Sequence, residues 1–259
     1  MMLIFAGFFT GLMVGLTGVG AGAMMTPILL LVFGVSPVTA VGTDLLFAGI
    51  TKAVASRVHD KAGLVDWQVL RRLWLGSLPS AGLTVLMIHF QWFEMDVTTL
   101  KQVIGWAVLL TAAGLIAQKR LNELGRRWRI VDESGFKRIQ PIMTVIAGAL
   151  LGFLVTLTSV GAGALGAVML AYLYPLRLTP ARLVATDIVH AVPLALFAGL
   201  GHMFVGHVDF QLLGWLLIGS VPGVWLGARI SSSIPQKYLR WALAIVLGSI
   251  GMRLTGIWM

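Results

Sequence analysis

Apolar residues run along this chain in long blocks without period-two alternation, and ionisable residues mark where the blocks stop. No charged side chain precedes Asp44; one polar cluster extends from Lys52 to Arg72 and a second from Lys119 to Arg138. The apolar blocks cover 2–34, 38–56, 68–90, 97–117, 141–175, 181–202, 210–228 and 238–257. Most hold about 20 residues, the length at which an α-helix crosses a hydrocarbon layer of ~30 Å. Leu, Ala, Met and Gly dominate them, which argues against membrane-spanning strands. The pattern predicts an all-α polytopic membrane protein.

Two blocks are too long for one crossing. Residues 2–34 and 141–175 would each make a straight helix of about 50 Å at 1.5 Å per residue. Glycines interrupt both near the middle, as Gly18-Val19-Gly20-Ala21-Gly22 and Ser159-Val160-Gly161-Ala162-Gly163. Each glycine costs a helix interior about 1 kcal/mol relative to alanine, so three in alternation predict a break. Each long block then reads as two half-helices that meet inside the membrane.

The halves of the chain repeat each other. Ala6-Gly7, Gly11, Leu16-Thr17 and Val19 to Ala23 recur 141 residues later; Pro37, Thr43-Asp44, Gly63, Val65-Asp66, Gly76-Ser77 and Pro79 recur 143 residues later. Matches confined to Gly, Pro, Thr and Asp are not what chance similarity between Leu-rich helices would select. Basic loops exchange ends between the copies: residues 52–72 are rich in Lys and Arg while 203–211 have none, and 91–101 has only Lys101 while 229–240 has Arg229, Lys237 and Arg240. If basic loops face the cytoplasm, each copy contains an odd number of crossings. The expected architecture is therefore two inverted repeats, 1–117 and 141–259, joined by a basic cytoplasmic connector, 118–140. Each repeat consists of a Gly-broken re-entrant helix pair and three spanning helices, with both termini outside. A broken helix that crosses once, giving parallel repeats, is the alternative.

Composition narrows the chemistry. Apolar residues make up 58% of the chain and charged residues 11%, against about 25% charged in soluble domains. Cysteine is absent, which excludes disulfides, thiol catalysis and thiolate metal sites. The net charge of +9 sits in short loops and reads as an orientation signal rather than a nucleic-acid surface. The start, Met-Met-Leu-Ile-Phe, lacks the basic region and cleavage site of a signal peptide and is read as structure.

A helix that begins at a break inside lipid points unpaired N–H groups and the positive end of its dipole into the gap, which suits an anion. The candidate binding residues are Thr17, Gly18, Gly20, Gly22, Thr158, Ser159, Gly161 and Gly163; close helix packing is the competing explanation of the glycines. Asp44 and Asp187, each following a threonine (Thr43, Thr186), lie inside apolar helices, where an aspartate costs about 2.5–3.5 kcal/mol. With His190 one turn beyond Asp187 they are candidates for proton coupling, or for ordering the hairpins. Lys52 is expected to snorkel toward the interface. His202 and His207 are expected in a solvated loop, and the tryptophans at span ends in an interfacial belt. No nucleophile–base pair, metal-ligand cluster or cofactor motif is present, so no catalytic residue, metal or cofactor is expected.

The segments GLTGVGAGAMMTPIL (15–29), VGTDLL (41–46) and GSLP (76–79) with Gly82, and their second copies SVGAGA (159–164), ATDIV (185–189) and GSVPG (219–223), resemble the TauE/SafE sulfite exporter family, the toluene sulfonate uptake permeases. The resemblance spans essentially the whole chain. It implies a secondary transporter of small sulfur-containing anions such as sulfite, sulfonates or sulfoacetate, driven by protons or potential, in a bacterial cytoplasmic membrane. An anion channel, or an intramembrane enzyme or assembly factor for sulfur compounds, remains as an alternative. The implied partners are the anion and membrane lipid, with no nucleic acid.

Overall fold

The structure, a computed structural model, describes residues 1–17, 22–60, 63–92, 96–131, 133–230 and 236–258. Among these residues the chain is helical, with no strand: α1 (Met2–Thr17), α2 (Gly22–Leu31), α3 (Pro37–Asp60), α4 (Trp67–His89), α5 (Val97–Val131), α6 (Glu133–Thr158), α7 (Ala164–Leu173), α8 (Pro180–Phe204), α9 (Phe210–Ile230) and α10 (Gln236–Leu254). Stretches of α3, α5, α6, α8 and α9 are long and apolar enough to cross a membrane. Large apolar side chains such as Phe5, Leu75, Ile142, Trp225 and Ile245 are exposed on the outside of the bundle. A water-soluble protein would leave few such contiguous faces; lipid is their natural solvent.

Both long apolar blocks are interrupted where the glycines predict it. The first stops at Thr17 and resumes at Gly22; the second stops at Thr158 and resumes at Ala164. Gly18 and Gly20 lie outside the described residues. The basic connector is helical rather than a loop: α5 continues through 118–131, and α6 begins at Glu133. Its Lys, Arg, Leu and Glu are good helix formers. Its one glycine, Gly125, sits where a Cβ would stand 2.3 Å from the carbonyl oxygen of Tyr172.

Glycine contacts fix the directions of the helices. Gly7, Gly11 and Gly15 of α1 lie against Leu216, Ser220 and Val224 of α9 in ascending step, so these two helices run parallel. Gly148 and Gly152 of α6 meet Leu73 and Ser77 of α4 in the same way. By contrast Gly49 of α3 meets Leu196 and Gly199 of α8 meets Leu46, an antiparallel pair; Gly105 of α5 meets Leu254 of α10 and Gly251 meets Leu109, another. The bonds Thr43–Asp209 and Thr51–Ser220 align α3 parallel to α9, while Asp66–Thr186 and Ser77–His190 align α4 parallel to α8. Hence α1 and α3 point the same way, and the chain returns between them through α2. Likewise α6 and α8 point the same way, with α7 returning between them.

The two halves lock reciprocally. The Thr43 hydroxyl accepts from the Asp209 amide at 3.0 Å, and its repeat counterpart Thr186 accepts from the Asp66 amide at 3.0 Å. The same aspartates cap their own helices: Asp66 accepts from Val69 N at 3.2 Å and Asp209 from Leu212 N at 2.9 Å. A threonine in one repeat thus seats the start of a helix in the other.

Glycine is obligatory at the α1–α9 and α4–α6 crossings, because an added Cβ would lie 2.0 Å from Ile4 O at Gly219 and 1.9 Å from Val145 O at Gly76. Backbone cannot yield as a flexible side chain can. Gly219→Val should force α1 from α9, costing roughly 1–3 kcal/mol or more, and lower the melting temperature in detergent. Gly214→Ala on the same helix, where a Cβ meets nothing within 4 Å, should not. Equal melting temperatures for the two variants would refute this packing.

Candidate anion site at the helix breaks

The second break is held in a backbone conformation that its sequence selects. Ser159 turns into the left-handed region at φ 58°, and Gly161 and Gly163 adopt φ 113° and 134°, values that L side chains rarely reach. Ser159 N closes the end of α6 by donating to Val155 O at 2.7 Å, and Val160 N donates to the Thr158 hydroxyl at 3.1 Å. Beyond that point the ladder does not resume until Gly166 N and Ala167 N, which donate to Gly161 O and Gly163 O at 3.3 and 3.0 Å. The amides of Gly161, Ala162, Gly163, Ala164 and Leu165 donate to no protein group among the described residues. All but Ala162 belong to buried residues, a situation proteins rarely tolerate.

The hydroxyls flanking the breaks divide. Thr17 and Thr158 each donate to a carbonyl one turn back in their own helix, Met13 O at 2.7 Å and Leu154 O at 2.6 Å. Their protons are therefore directed into the helices. Ser159 is different: its Oγ is buried with no hydrogen-bond partner among the described residues, and it lies beside Asp44.

Asp44 and Asp187 face the breaks from the first turns of α3 and α8, and both are almost fully buried. Asp44 Oδ2 accepts from the amide of Thr26 at 3.1 Å and from its hydroxyl at 2.5 Å, which ties α3 to the returning half-helix α2. Asp187 has no such tether. Its Oδ1 has no partner among the described residues and lies where a Cβ on Gly166 would come within 2.1 Å of it. Gly166 thus makes room in α7 for the carboxylate.

Lys52 supplies what sequence reasoning missed. It does not snorkel: its side chain is fully buried, and its ammonium donates to Ala162 O in the middle of the second break. Its charge acts on both Asp187 and Asp44. The sequence placed Lys52 two turns beyond Asp44 on one helix, but the partner at the second break lies 110 residues away. His190 is brought not to Asp187 but to α4, with Nε2 at 3.0 Å from Ser77 Oγ; Trp74, far from any interfacial role, donates to the His190 carbonyl at 3.3 Å. His202 is also buried rather than solvated, its Nε2 at 2.9 Å from Thr156 O and its ring 5.6 Å from that of His207. No group of three or more His, Cys, Asp or Glu among the described residues is placed to hold a metal ion.

The end of α7 is anchored by side chains that complete its last carbonyls: Asn122 donates to Ala171 O at 3.0 Å and Gln140 to Leu173 O at 2.5 Å. In the following turn Arg177 grips Asp66 with two bonds of 2.6 and 2.8 Å. Burial works against ionisation of Asp66, but the Arg177 guanidinium and the Val69 amide outweigh it and hold the carboxyl below its usual range.

A bundle of apolar helices with two breaks that double back, a buried ammonium shared by two aspartates and a cluster of unpaired amides belongs to a multi-pass membrane transporter. Sequence comparison gives the family: a model described as sulfite exporter TauE/SafE matches residues 3–254, and the chain belongs to that family. It is 34% identical to a probable membrane transporter protein, YjnA, of Bacillus subtilis, over 97% of this chain and 98% of the relative. It is 26% identical to the probable membrane transporter protein MJ0441 of Methanocaldococcus jannaschii, over 97% and 93%. No solved structure matches the chain.

Asp66→Asn should remove the charge-assisted grip on Arg177 and cost about 2 kcal/mol at neutral pH. Because the folded-state carboxyl is held low, its contribution is complete above the ordinary carboxylate range and is lost as pH falls through the folded value. Melting curves of wild type and Asp66→Asn should therefore converge on acidification; a gap that persists below pH 3 would contradict this assignment.

Proposed function

We propose that the protein is a secondary transporter, in the exporting direction, of small sulfur-containing anions such as sulfite, sulfonates or sulfoacetate. The observation that carries this reading is the run of five unpaired amides from Gly161 to Leu165, at the start of a half-helix inside an apolar bundle. Buried N–H groups at a helix N-terminus attract negative charge, and the positive φ of Gly161 and Gly163 aims them without an intervening side chain. The family description brings sulfur oxyanions in particular into the reading. Thr17, Gly18, Gly20 and Gly22 would form the matching wall at the first break.

The antiparallel run of α3 against α8 and of α5 against α10 supports inverted repeats about an axis in the membrane plane. Such repeats would rock against each other to expose the anion to either side. With basic residues inward, the ends of α5 and the starts of α4 and α6 face the cytoplasm and the termini face outward. The host is then a bacterial cytoplasmic membrane. Asp44, Asp187 and Lys52 form the coupling group: a carboxylate tied to the first hairpin, a carboxylate left untethered, and an ammonium bonded to the second break. A proton arriving at Asp187 would weaken the hold of Lys52 on that pair and free the break to move. No nucleotide-binding motif is present, so gradients supply the energy.

Two measurements test this. Thermal-shift screening of purified protein against sulfite, thiosulfate, taurine, sulfoacetate and oxalate should single out a sulfur anion, because a ligand at 100 times its Kd adds about 2.7 kcal/mol. Gly163→Leu should lose that shift while still eluting as a folded monodisperse species; a retained shift would sink the anion site. In proteoliposomes, Asp187→Asn should abolish anion flux driven by a pH gradient but spare anion exchange. Wild-type flux that ignores a pH gradient and passes large unitary currents would instead identify a channel.

A further inference from the structure

At the basic end of the bundle, between α5, α7, α8 and α10, the structure contains a cavity of about 820 Å³. Lys119, Glu123 and Arg126 line it from α5 and Arg240 from α10, and among the described residues these cations have no ion-pair partner. Three cations face one anion. At its inner end a pocket of about 30 Å³, room for a water or two, shares Gln118, Leu183 and Arg240 with the larger cavity. That pocket reaches Thr17, the last residue of α1 before the first break, and Ala167 in α7. Arg240 thus stands at the junction of a wide basin and a narrow neck. The repeat does not reproduce it: 143 residues earlier the chain has Val97.

We propose that the cavity is a one-sided anion vestibule, in which Lys119 and Arg126 gather small anions from the basic face. Arg240 positions them at the neck that leads past Thr17 to the breaks. This rests on reading the breaks as an anion site, and it adds where the anion enters and which residue selects its charge. The basin is far larger than a small oxyanion and half solvated, so it serves as a staging volume; the tight recognition belongs to the amides beyond the neck. A field of like-signed charges in a low-dielectric mouth raises the local concentration of counter-charged solutes.

The chain has no cysteine, so a single Gln118→Cys reports on the vestibule against no background. Its labelling rates with the anionic sulfonatoethyl and the cationic trimethylammonioethyl methanethiosulfonate are measured in nanodiscs and in sided vesicles. Relative to a free thiol, the anionic reagent should gain about tenfold over the cationic one, and only from the basic side. Adding Arg240→Gln should remove most of that gain while the melting temperature is kept. Equal rates for the two reagents, access from the opposite side, or a ratio untouched by Arg240→Gln would overturn the proposal. Nanodiscs of phosphatidylglycerol and of phosphatidylcholine separate the sources of negative charge. Equal anionic-reagent rates support a vestibule open to free anions, and selective slowing by phosphatidylglycerol assigns the cavity to lipid headgroups instead. Labelling requires no transport. A protein that labels as expected but shows no sulfur-anion shift would keep its vestibule and lose the proposed substrate class.

Discussion

Backbone amides inside an apolar bundle have no water to turn to, and this constraint organises the molecule. An unbroken helix satisfies it residue by residue; a helix that stops at Thr158 and restarts at Ala164 does not. The described structure answers part of the debt with protein groups, through the Thr158 hydroxyl at Val160 and the Gly161 and Gly163 carbonyls at the start of α7. It leaves the amides in between unanswered. Everything else near the site can be understood as holding that open ladder in place: Lys52 on Ala162 O, Asn122 and Gln140 on the far end of α7, and Asp187 in the notch left by Gly166.

The two breaks are related by the repeat but furnished differently. Asp44 is fastened to its half-helix through the Thr26 hydroxyl and amide, whereas the positions equivalent to Thr26 in the second copy are Ala167 and Met169, which offer no hydroxyl. Lys52 has Leu194 or Pro193 near its equivalent position and so no twin. One hairpin is therefore bound by neutral-donor hydrogen bonds and the other by a charge. A charge bond depends on protonation and on neighbouring ions in a way that a hydroxyl bond does not, so the second hairpin is the natural moving part.

Much of this was legible beforehand. Block lengths gave the helices, glycine clusters gave both interruptions, and the 141- and 143-residue offsets paired Thr43 with Thr186 and Asp66 with Asp209 before any contact was known. What escaped were features that depend on three-dimensional neighbours. A lysine near the end of an apolar stretch ordinarily reaches for the interface, and only the approach of the second break turns Lys52 inward. Arg177 sits in a short loop with no motif around it, yet it meets Asp66 across the bundle. The connector misled for a different reason: charge density marks where lipid ends, not where a helix ends, and α5 runs on past the apolar boundary.

The reciprocal threonine–amide bonds reach back to how the protein is made. Thr43 can find the Asp209 amide only after most of the polypeptide has left the ribosome, and α1 lacks its parallel companion α9 until the same late moment. The first half must therefore wait in the bilayer with glycine ridges bare and helix starts unseated, and the last third of the chain closes both halves at once. Evolution by duplication has here yielded a partnership in which neither copy matures alone.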